Sequence, residues 1–550
     1  MEENYFKWAN ENSRKFLEEG YLKELGINTE QRVEQIALTA GHISGSFELA
    51  ERVKEVVSKG WCSLSSPIWA NYGLDRGLPI SCFGSYIGDS VDSISLGIRE
   101  VAIMSKYGGG TSGYLGHIRP RGAKIKNNGE SHGSLPFLSW FEKTTSIISQ
   151  GNTRRGKFAG YIDAEHGDVM DWLDIQREGS ELQSTPYGVG LSDNFMNSVK
   201  EGDIRNREVM AKIHESRCET GLPYLLFTDT ANNKAPEVYK DRHRIYASNM
   251  CTEIMLPSSD IWSFVCCLLS MNLDKYDEWK DTHAVDTMIR FLDTVMTEFI
   301  DKGSQIPGME RAVAFAVANR ALGLGVLGWH DLLQSKSIAF DSFEAMQLNA
   351  SVFRNIREKA NKASHDLASE FGQDGVMVGT NRRNATLLAV APTKSSSYIL
   401  GQTSQGVEPH KSNYFTHDLA KMESTYKNGY LQEVLKELGK DTEEVWDSIL
   451  QNGGSVQHLD FLDEHNKNVF KTFGEISQLA IIQQAASRQV FIDQGQSINL
   501  QIDSRVPLKD LNRLVFEAWE SGLKSLYYQY SVSAAQELNR DLLNCSSCES

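Results

Sequence analysis

Asn249, Cys251 and Glu253, in the run Asn-Met-Cys-Thr-Glu, set an amide, a thiol and a carboxylate two positions apart. In an extended segment, side chains at i, i+2 and i+4 project to one face. The three could then hydrogen-bond a hydroxyl, perform sulfur chemistry and move a proton at one spot. A helix would not gather them, because i and i+2 diverge on its surface. The plainer alternative is a buried, inert cysteine among polar loop residues. Cys266-Cys267 sits in the apolar run Ser263 to Leu273 and reads as a core strand, and Cys82 in Leu-Pro-Ile-Ser-Cys says little alone. Cys545-Ser-Ser-Cys548, close to the last residue, could be half a zinc site, a chance pair or an exposed dithiol. No second ligand pair lies nearby, which favours a dithiol that exchanges disulfides.

Other segments suit a phosphate. Pro392-Thr-Lys-Ser-Ser-Ser follows the apolar run 385–391, so its hydroxyls and amides could hold an anion at a strand-to-helix turn. The pattern of a Walker A loop is absent. Tyr107-Gly-Gly-Gly-Thr-Ser-Gly and Gln150-Gly-Asn-Thr-Arg-Arg-Gly-Lys are glycine-rich loops, the second with Arg154 and Arg155 able to pair with phosphate. Each also reads as an ordinary solvated turn, and Tyr527-Tyr528 as packing aromatics.

The elements that must position these residues alternate. Residues 1–60 read as helical, with Gly20 and Gly26 as breaks. Val285, Met288, Leu292, Val295, Met296 and Phe299 share one helical face that stops at Gly303. Asp341-Ser342 can cap a second helix running to Gly372. Short apolar runs such as 323–328 and 385–391 separate the helices, which argues for an α/β barrel or doubly wound sheet. The end of the chain, from Gln529, starts like a short helix and turns polar.

Composition sets the class. In 550 residues, 40% are hydrophobic and 23% charged, which is ordinary for a globular chain and excludes a disordered or collagenous one. The net charge of −16 argues against non-specific nucleic-acid binding. Phe264 to Leu273, the longest near-apolar stretch, is about half a membrane span, and the acidic start lacks a signal-peptide core. Eight cysteines without a secretory signal point to reduced thiols in a cytoplasmic enzyme.

The order of the motifs is more telling than any one. Ser65-Ser-Pro-Ile, Leu78-Pro-Ile-Ser-Cys82, Gly88-Asp-Ser, the glycine- and arginine-rich loops, Asn249-x-Cys251-x-Glu253, Cys266, Pro392-Thr-x-Ser-Ser-Ser, Tyr527-Tyr528 and the terminal C-x-x-C follow one another over residues 60 to 550. In that order they resemble the large catalytic subunit of class I ribonucleotide reductase. The resemblance implies a ten-stranded α/β barrel over 61–528 with a central finger loop carrying Cys251, a short helical region over 1–60 and a flexible redox tail over 529–550. It implies that Cys251 becomes a thiyl radical that takes the 3′ hydrogen of a ribonucleoside diphosphate. Glu253 would act as base, Asn249 would hold the sugar hydroxyls, and Cys82 and Cys266 would supply two electrons and end as a disulfide. The Cys266-Cys267 doublet leaves that pairing ambiguous; Asn272, six residues on, favours Cys266.

By the same resemblance Tyr527 and Tyr528 relay the radical from a metal-containing small subunit, and Cys545 and Cys548 pass electrons inward from thioredoxin or glutaredoxin. Ser66, Ser81, Thr393, Ser395, Ser396 and Ser397 would hold the substrate diphosphate. Asp89, Ser90, Arg119 and Arg154 would bind a deoxynucleoside triphosphate effector, and the loop 151–158 would carry its signal to the substrate base. The implied assembly is a homodimer with no metal or other cofactor held permanently by this chain. Only about 60 residues precede the first motif, fewer than a full ATP-cone requires, so a missing or partial overall-activity site is expected. The alternatives are an adenosylcobalamin-dependent reductase, against which the tyrosine pair speaks, and a regulatory homologue without turnover.

Overall fold

The computed structural model describes residues 5–151, 155–419, 422–503 and 506–531. One curled sheet organises it. Its strands are β1 (Cys62–Leu64), β2 (Cys82–Tyr86), β3 (Gly110–Tyr114), β4 (Phe158–Asp163), β5 (Tyr187–Leu191), β6 (Tyr224–Phe227), β7 (Phe264–Asn272), β8 (Leu322–Leu327) and, near the end of the described chain, Ser525–Leu526. Strands β2 to β6 run parallel in sequence order, β7 lies antiparallel to β2, β8 parallel to β7, and Ser525–Leu526 antiparallel to β6. Parallel neighbours require crossovers. Helices Val91–Lys106, Leu135–Ile147 and Ile204–Thr220 supply three of them, and Ala284–Gly303 with Glu310–Asn319 links β7 to β8. Because helices cover the sheet, strands such as β5, β7 and β8 are buried along their whole length and read as unbroken apolar runs.

The sheet contains nine regular strands where the sequence led to ten in a barrel. Past β8 the backbone continues through two segments that touch their neighbours by single parallel bridges, Leu324 to Leu388 and Val390 to Gln496. Regular pairing fails there for a visible reason. The Asp493 carboxylate accepts from the amides of Leu387 and Leu388 at 2.8 and 3.1 Å, taking the place of a strand's carbonyls. Tyr527 N then donates to Ile498 O at 2.8 Å.

The expected helices form where local signals place them. Asn28 and Gln31 close a capping box on Thr29–Ser44, and Ser342 Oγ accepts from Ala345 N at the start of Phe343–Phe371. Buried Arg32 ties the N-terminal helices to the sheet: its guanidinium donates to the carbonyls of Ile68, Trp69 and Tyr72 at 2.7–3.1 Å, satisfying the end of helix Ser66–Asn71. A second ion-pair knot lies deeper. Asp293, in helix Ala284–Gly303, accepts from Arg320 and Asn384 on one oxygen and from Arg383 on the other, at 2.8–3.0 Å.

Two features lie outside the sequence reading. Residues 429–470 build a small second core around Leu431, Leu435, Trp446 and Ile449. The stretch from Gln529, expected to begin a helix, is instead a short strand: Gln529–Ser531 pairs in parallel with Leu500–Ile502 in a separate two-stranded sheet. Among the described residues no helix is long and apolar enough to cross a membrane.

Candidate active site

Register decides which cysteines meet. In the antiparallel pair of β2 and β7, Cys82 stands directly opposite Cys266, so their side chains share a face at close range. Cys267 points to the other face, where its thiol is directed at Leu292 O, 3.5 Å away. Of the doublet, Cys266 is therefore the residue that faces Cys82. Gln494 Nε2 donates to Cys266 Sγ at 3.4 Å and Asn249 Nδ2 to Cys82 Sγ at 3.1 Å. Burial pushes the Cys266 thiol well above its ordinary value, with Cys267 adding to the rise, so it is held protonated.

Asn249, Cys251 and Glu253 converge by a route other than strand alternation. The chain turns at 249–252: Thr252 N reaches Asn249 O at 3.4 Å, and Thr252 takes a left-handed conformation with φ of 63°. A non-glycine residue in that region costs energy and must be held by its surroundings. Ser497 Oγ hydrogen-bonds the Cys251 carbonyl, Ser525 Oγ donates to Thr252 O at 2.9 Å, and Tyr161 Oη donates to Asn249 O at 2.7 Å. Close by, a Cβ on Gly495 would approach Thr252 O and Glu253 O to 3.0 and 3.3 Å, so the loop packs directly on the 494–497 backbone. Asn249 Oδ1 accepts from Ile254 N, which leaves its amide nitrogen for Cys82.

Glu253 is buried, and desolvation lifts its carboxyl to about 7, against hydrogen bonds from its own backbone, Asn249 and Ser497 that favour the charged form. A carboxyl poised there can accept a proton at neutral pH.

These groups line one cavity. Its wall comprises Cys82, Asn249, Cys251 and Glu253 together with Ser65, Ser66, Ser81, Thr393, Lys394, Ser395 and Ser396. The hydroxyls of Ser65 and Ser81 are buried without a hydrogen-bond partner among the described residues, an arrangement that costs free energy unless a ligand completes it. Among the described residues, Lys394 is the one cation in that wall. Ser397 does not join it: its hydroxyl donates to Thr403 O, behind the turn.

Tyr527 and Tyr528 lie with ring centroids 4.4 Å apart and planes tilted by 59°, so they touch without stacking in parallel. Tyr224 completes a trio, 4.8 Å from Tyr527 and 5.0 Å from Tyr528, with its hydroxyl donating to Tyr528 Oη at 2.8 Å. Asn499 fixes the Tyr528 backbone by accepting from its amide at 3.0 Å, and Leu500 N donates to its carbonyl.

Asp89 and Arg119 form an ion pair at 2.7 Å on the surface, outside the cavity wall. Ser90 caps helix Val91–Lys106, its Oγ accepting from Ser93 N. Arg154, Cys545 and Cys548 lie outside the described residues. The sequence reading missed Ser65, Tyr161, Tyr224, Gln494 and Ser497. The polar run Asp493-Gln-Gly-Gln-Ser497 among apolar neighbours was the available signal for the last two.

The chain is similar to known proteins along most of its length. The family model described as "Ribonucleotide reductase, barrel domain" matches residues 80–204, 199–381 and 376–529. A putative ribonucleoside-diphosphate reductase large subunit of Frog virus 3 is 38% identical over 518 residues, covering 89% of each chain. The corresponding large subunit of Invertebrate iridescent virus 3 is 30% identical, covering 93% of this chain and 92% of its own. Among solved structures, the class Id ribonucleotide reductase alpha subunit of Actinobacillus ureae superposes with a TM-score of 0.92 at 53% identity, covering 98% of this chain and 99% of that one.

Proposed function

This chain belongs to the ribonucleotide reductase large-subunit family, and from that premise we propose that it reduces ribonucleoside diphosphates to 2′-deoxyribonucleoside diphosphates in the cavity around Cys251. The observation that carries the reading is the meeting of Cys82, Cys251, Asn249 and Glu253 in one hydroxyl-lined cavity, with Cys266 directly opposite Cys82 in the sheet beside it. Cys251, as a thiyl radical, takes the 3′ hydrogen; Glu253 accepts the 3′-hydroxyl proton, and the 2′ hydroxyl leaves as water. Cys82 and Cys266 supply the two electrons and become a disulfide, which their cross-strand placement allows. Asn249, already bonded to Cys82, sits where it can also hold a sugar hydroxyl. In the same cavity, Ser65, Ser66, Ser81, Thr393, Ser395 and Ser396 take the diphosphate.

The barrel reading is extended on the same basis. The segments 385–391 and 494–500 serve as the staves that join β8 to Ser525–Leu526, and the turn at 249–253 serves as the finger loop. The trio Tyr224, Tyr527 and Tyr528 suits a radical arriving from a metal-containing small subunit, and an internal adenosylcobalamin source would need no such chain. Cys545 and Cys548 would reduce the Cys82–Cys266 disulfide and be renewed by a thioredoxin- or glutaredoxin-type protein. Asp89, Ser90, Arg119 and Arg154 would receive a deoxynucleoside triphosphate. A homodimer is the assembly that goes with this reading.

The test is deoxycytidine diphosphate formation from CDP by the purified chain with its small subunit, dithiothreitol and an effector, beside Cys251→Ala. Product that needs both the small subunit and Cys251 supports the reading. Absence of product with an assembled, active small subunit overturns it.

A further inference from the structure

The N-terminal helical segment braces the hydroxyl-bearing wall of the cavity from two sides. Tyr21 is 5% exposed, and its Oη donates to Ser66 Oγ at 3.0 Å. Its carbonyl accepts from Arg76 Nη2 at 2.7 Å, and Arg76 Nε in turn donates to Ala70 O at 3.0 Å, so the tyrosine is fixed against helix Ser66–Asn71. The Phe16 ring meets Tyr21 edge-on at 5.8 Å and stacks on Tyr398 at 6.2 Å with planes 20° apart. Ser13 Oγ also donates to Tyr398 O, at 3.4 Å. Tyr398 belongs to helix Lys394–Ile399, which brings Ser395 and Ser396 to the cavity. One short stretch, Ser13 to Tyr21, therefore holds both helices that bring these hydroxyls to the cavity.

A serine hydroxyl carries one hydrogen and two lone pairs. With the phenol donating into one lone pair, the hydrogen of Ser66 is left to donate, and polarisation by the first bond strengthens the second. An acceptor in the cavity is the partner such a hydroxyl suits. The neighbouring hydroxyls of Ser65 and Ser81, buried and without partners among the described residues, ask for the same kind of ligand.

We propose that Tyr21 is a positioning residue for the diphosphate of the substrate, acting through Ser66 by aiming and polarising its hydroxyl while Phe16 keeps helix Lys394–Ile399 in register with it. The proposal rests on the reductase reading for the identity of the anion. It makes the N-terminal segment part of the substrate site, although among the described residues none before Ser65 lines the cavity.

The discriminating variant is Tyr21→Phe, which keeps the ring and its contact with Phe16 and removes only the hydroxyl. Its KM for CDP should rise about five-fold, in line with the loss of one neutral hydrogen bond, with kcat within two-fold and the effector activation constant unchanged. Because the tyrosine acts through Ser66, the double variant Tyr21→Phe with Ser66→Ala should match Ser66→Ala alone. An unchanged KM in Tyr21→Phe, or effects that multiply in the double variant, would overturn the proposal. Should the wild type bind CDP without reducing it, the same comparison made on CDP affinity by equilibrium dialysis tests the role of Tyr21 while the reductase reading fails separately. A wild type that neither reduces nor binds CDP overturns both.

Discussion

Exchanging Glu253 for glutamine separates the proton chemistry of the site from its shape. The amide keeps the side chain's volume and can still accept from Ser497 Oγ, which lies 3.2 Å from Glu253 Oε2, but it cannot take a proton. General-base catalysis of this kind contributes about 10²- to 10⁴-fold, so kcat/KM should fall by that factor in Glu253→Gln. The pH dependence carries a sharper signature. Burial lifts the carboxyl from 4.5 to about 7, so wild-type kcat/KM should rise with unit slope as pH approaches about 7 and level off above it; the variant's residual rate should lack that limb.

Stability should move in the opposite sense. A carboxyl whose folded value exceeds its unfolded one binds its proton more tightly when folded, so its contribution is lost as pH rises from 4.5 to about 7. The full penalty, about 3 kcal/mol at 1.36 kcal/mol per unit, applies above that window. Glu253→Gln removes it, so the variant should melt a few degrees higher than wild type at pH 8 and show no such gain at pH 4.5. Paired pH–rate and thermal-melt series check both. An activity within ten-fold of wild type, or an equal melting difference at both pH values, would refute the assignment of Glu253 as a buried base.

Other expectations follow from the same contacts. Cys266→Ser should abolish sustained turnover, whereas Cys267→Ser should retain it, because that thiol faces Leu292 O on the opposite side of β7; multiple-turnover assays of the two distinguish them. Gly323→Ala would place a methyl 2.3 Å from Leu268 Cδ2 and 3.2 Å from Cys266 Sγ, so it should slow turnover or lower the melting temperature by forcing β7 and β8 apart. Asp293→Ala leaves Arg320 and Arg383 buried without their carboxylate and should destabilise the fold by about 3–5 kcal/mol, measured by denaturant unfolding. Tyr224→Phe removes the hydroxyl that donates to Tyr528 Oη; turnover driven by the small subunit should fall while effector binding stays constant.

Much of the chain was legible as text because its signals are local. Ser342 caps its helix three residues before the amide it satisfies, and the face Val285 to Phe299 repeats within one helix, so neighbours in sequence carry the information. The chemistry-bearing residues were likewise visible, since residue type and motif order survive without a fold, and Cys82, Asn249, Cys251 and Glu253 do share a cavity. The reading failed where contact depends on distant partners. A shared face for 249, 251 and 253 depends in sequence on extended geometry, yet Ser497, Ser525 and Tyr161 hold the segment as a turn.

The sequence by itself therefore determined the cast: the thiols, the carboxylate, the hydroxyl-rich turn, the tyrosines and the helices and apolar runs that carry them. Only the tertiary structure decided their relations. Whether Cys266 or Cys267 faces Cys82 is a matter of register between β2 and β7, and a shift of one residue would exchange them. The value near 7 at Glu253 comes from desolvation by a whole fold, which no window of sequence encodes. Tyr21 reaches Ser66 because Arg32 and Arg76 pin the N-terminal helices to segment 66–72. Side-chain type is written residue by residue, whereas pairing, burial and charge state are collective properties of the packed chain.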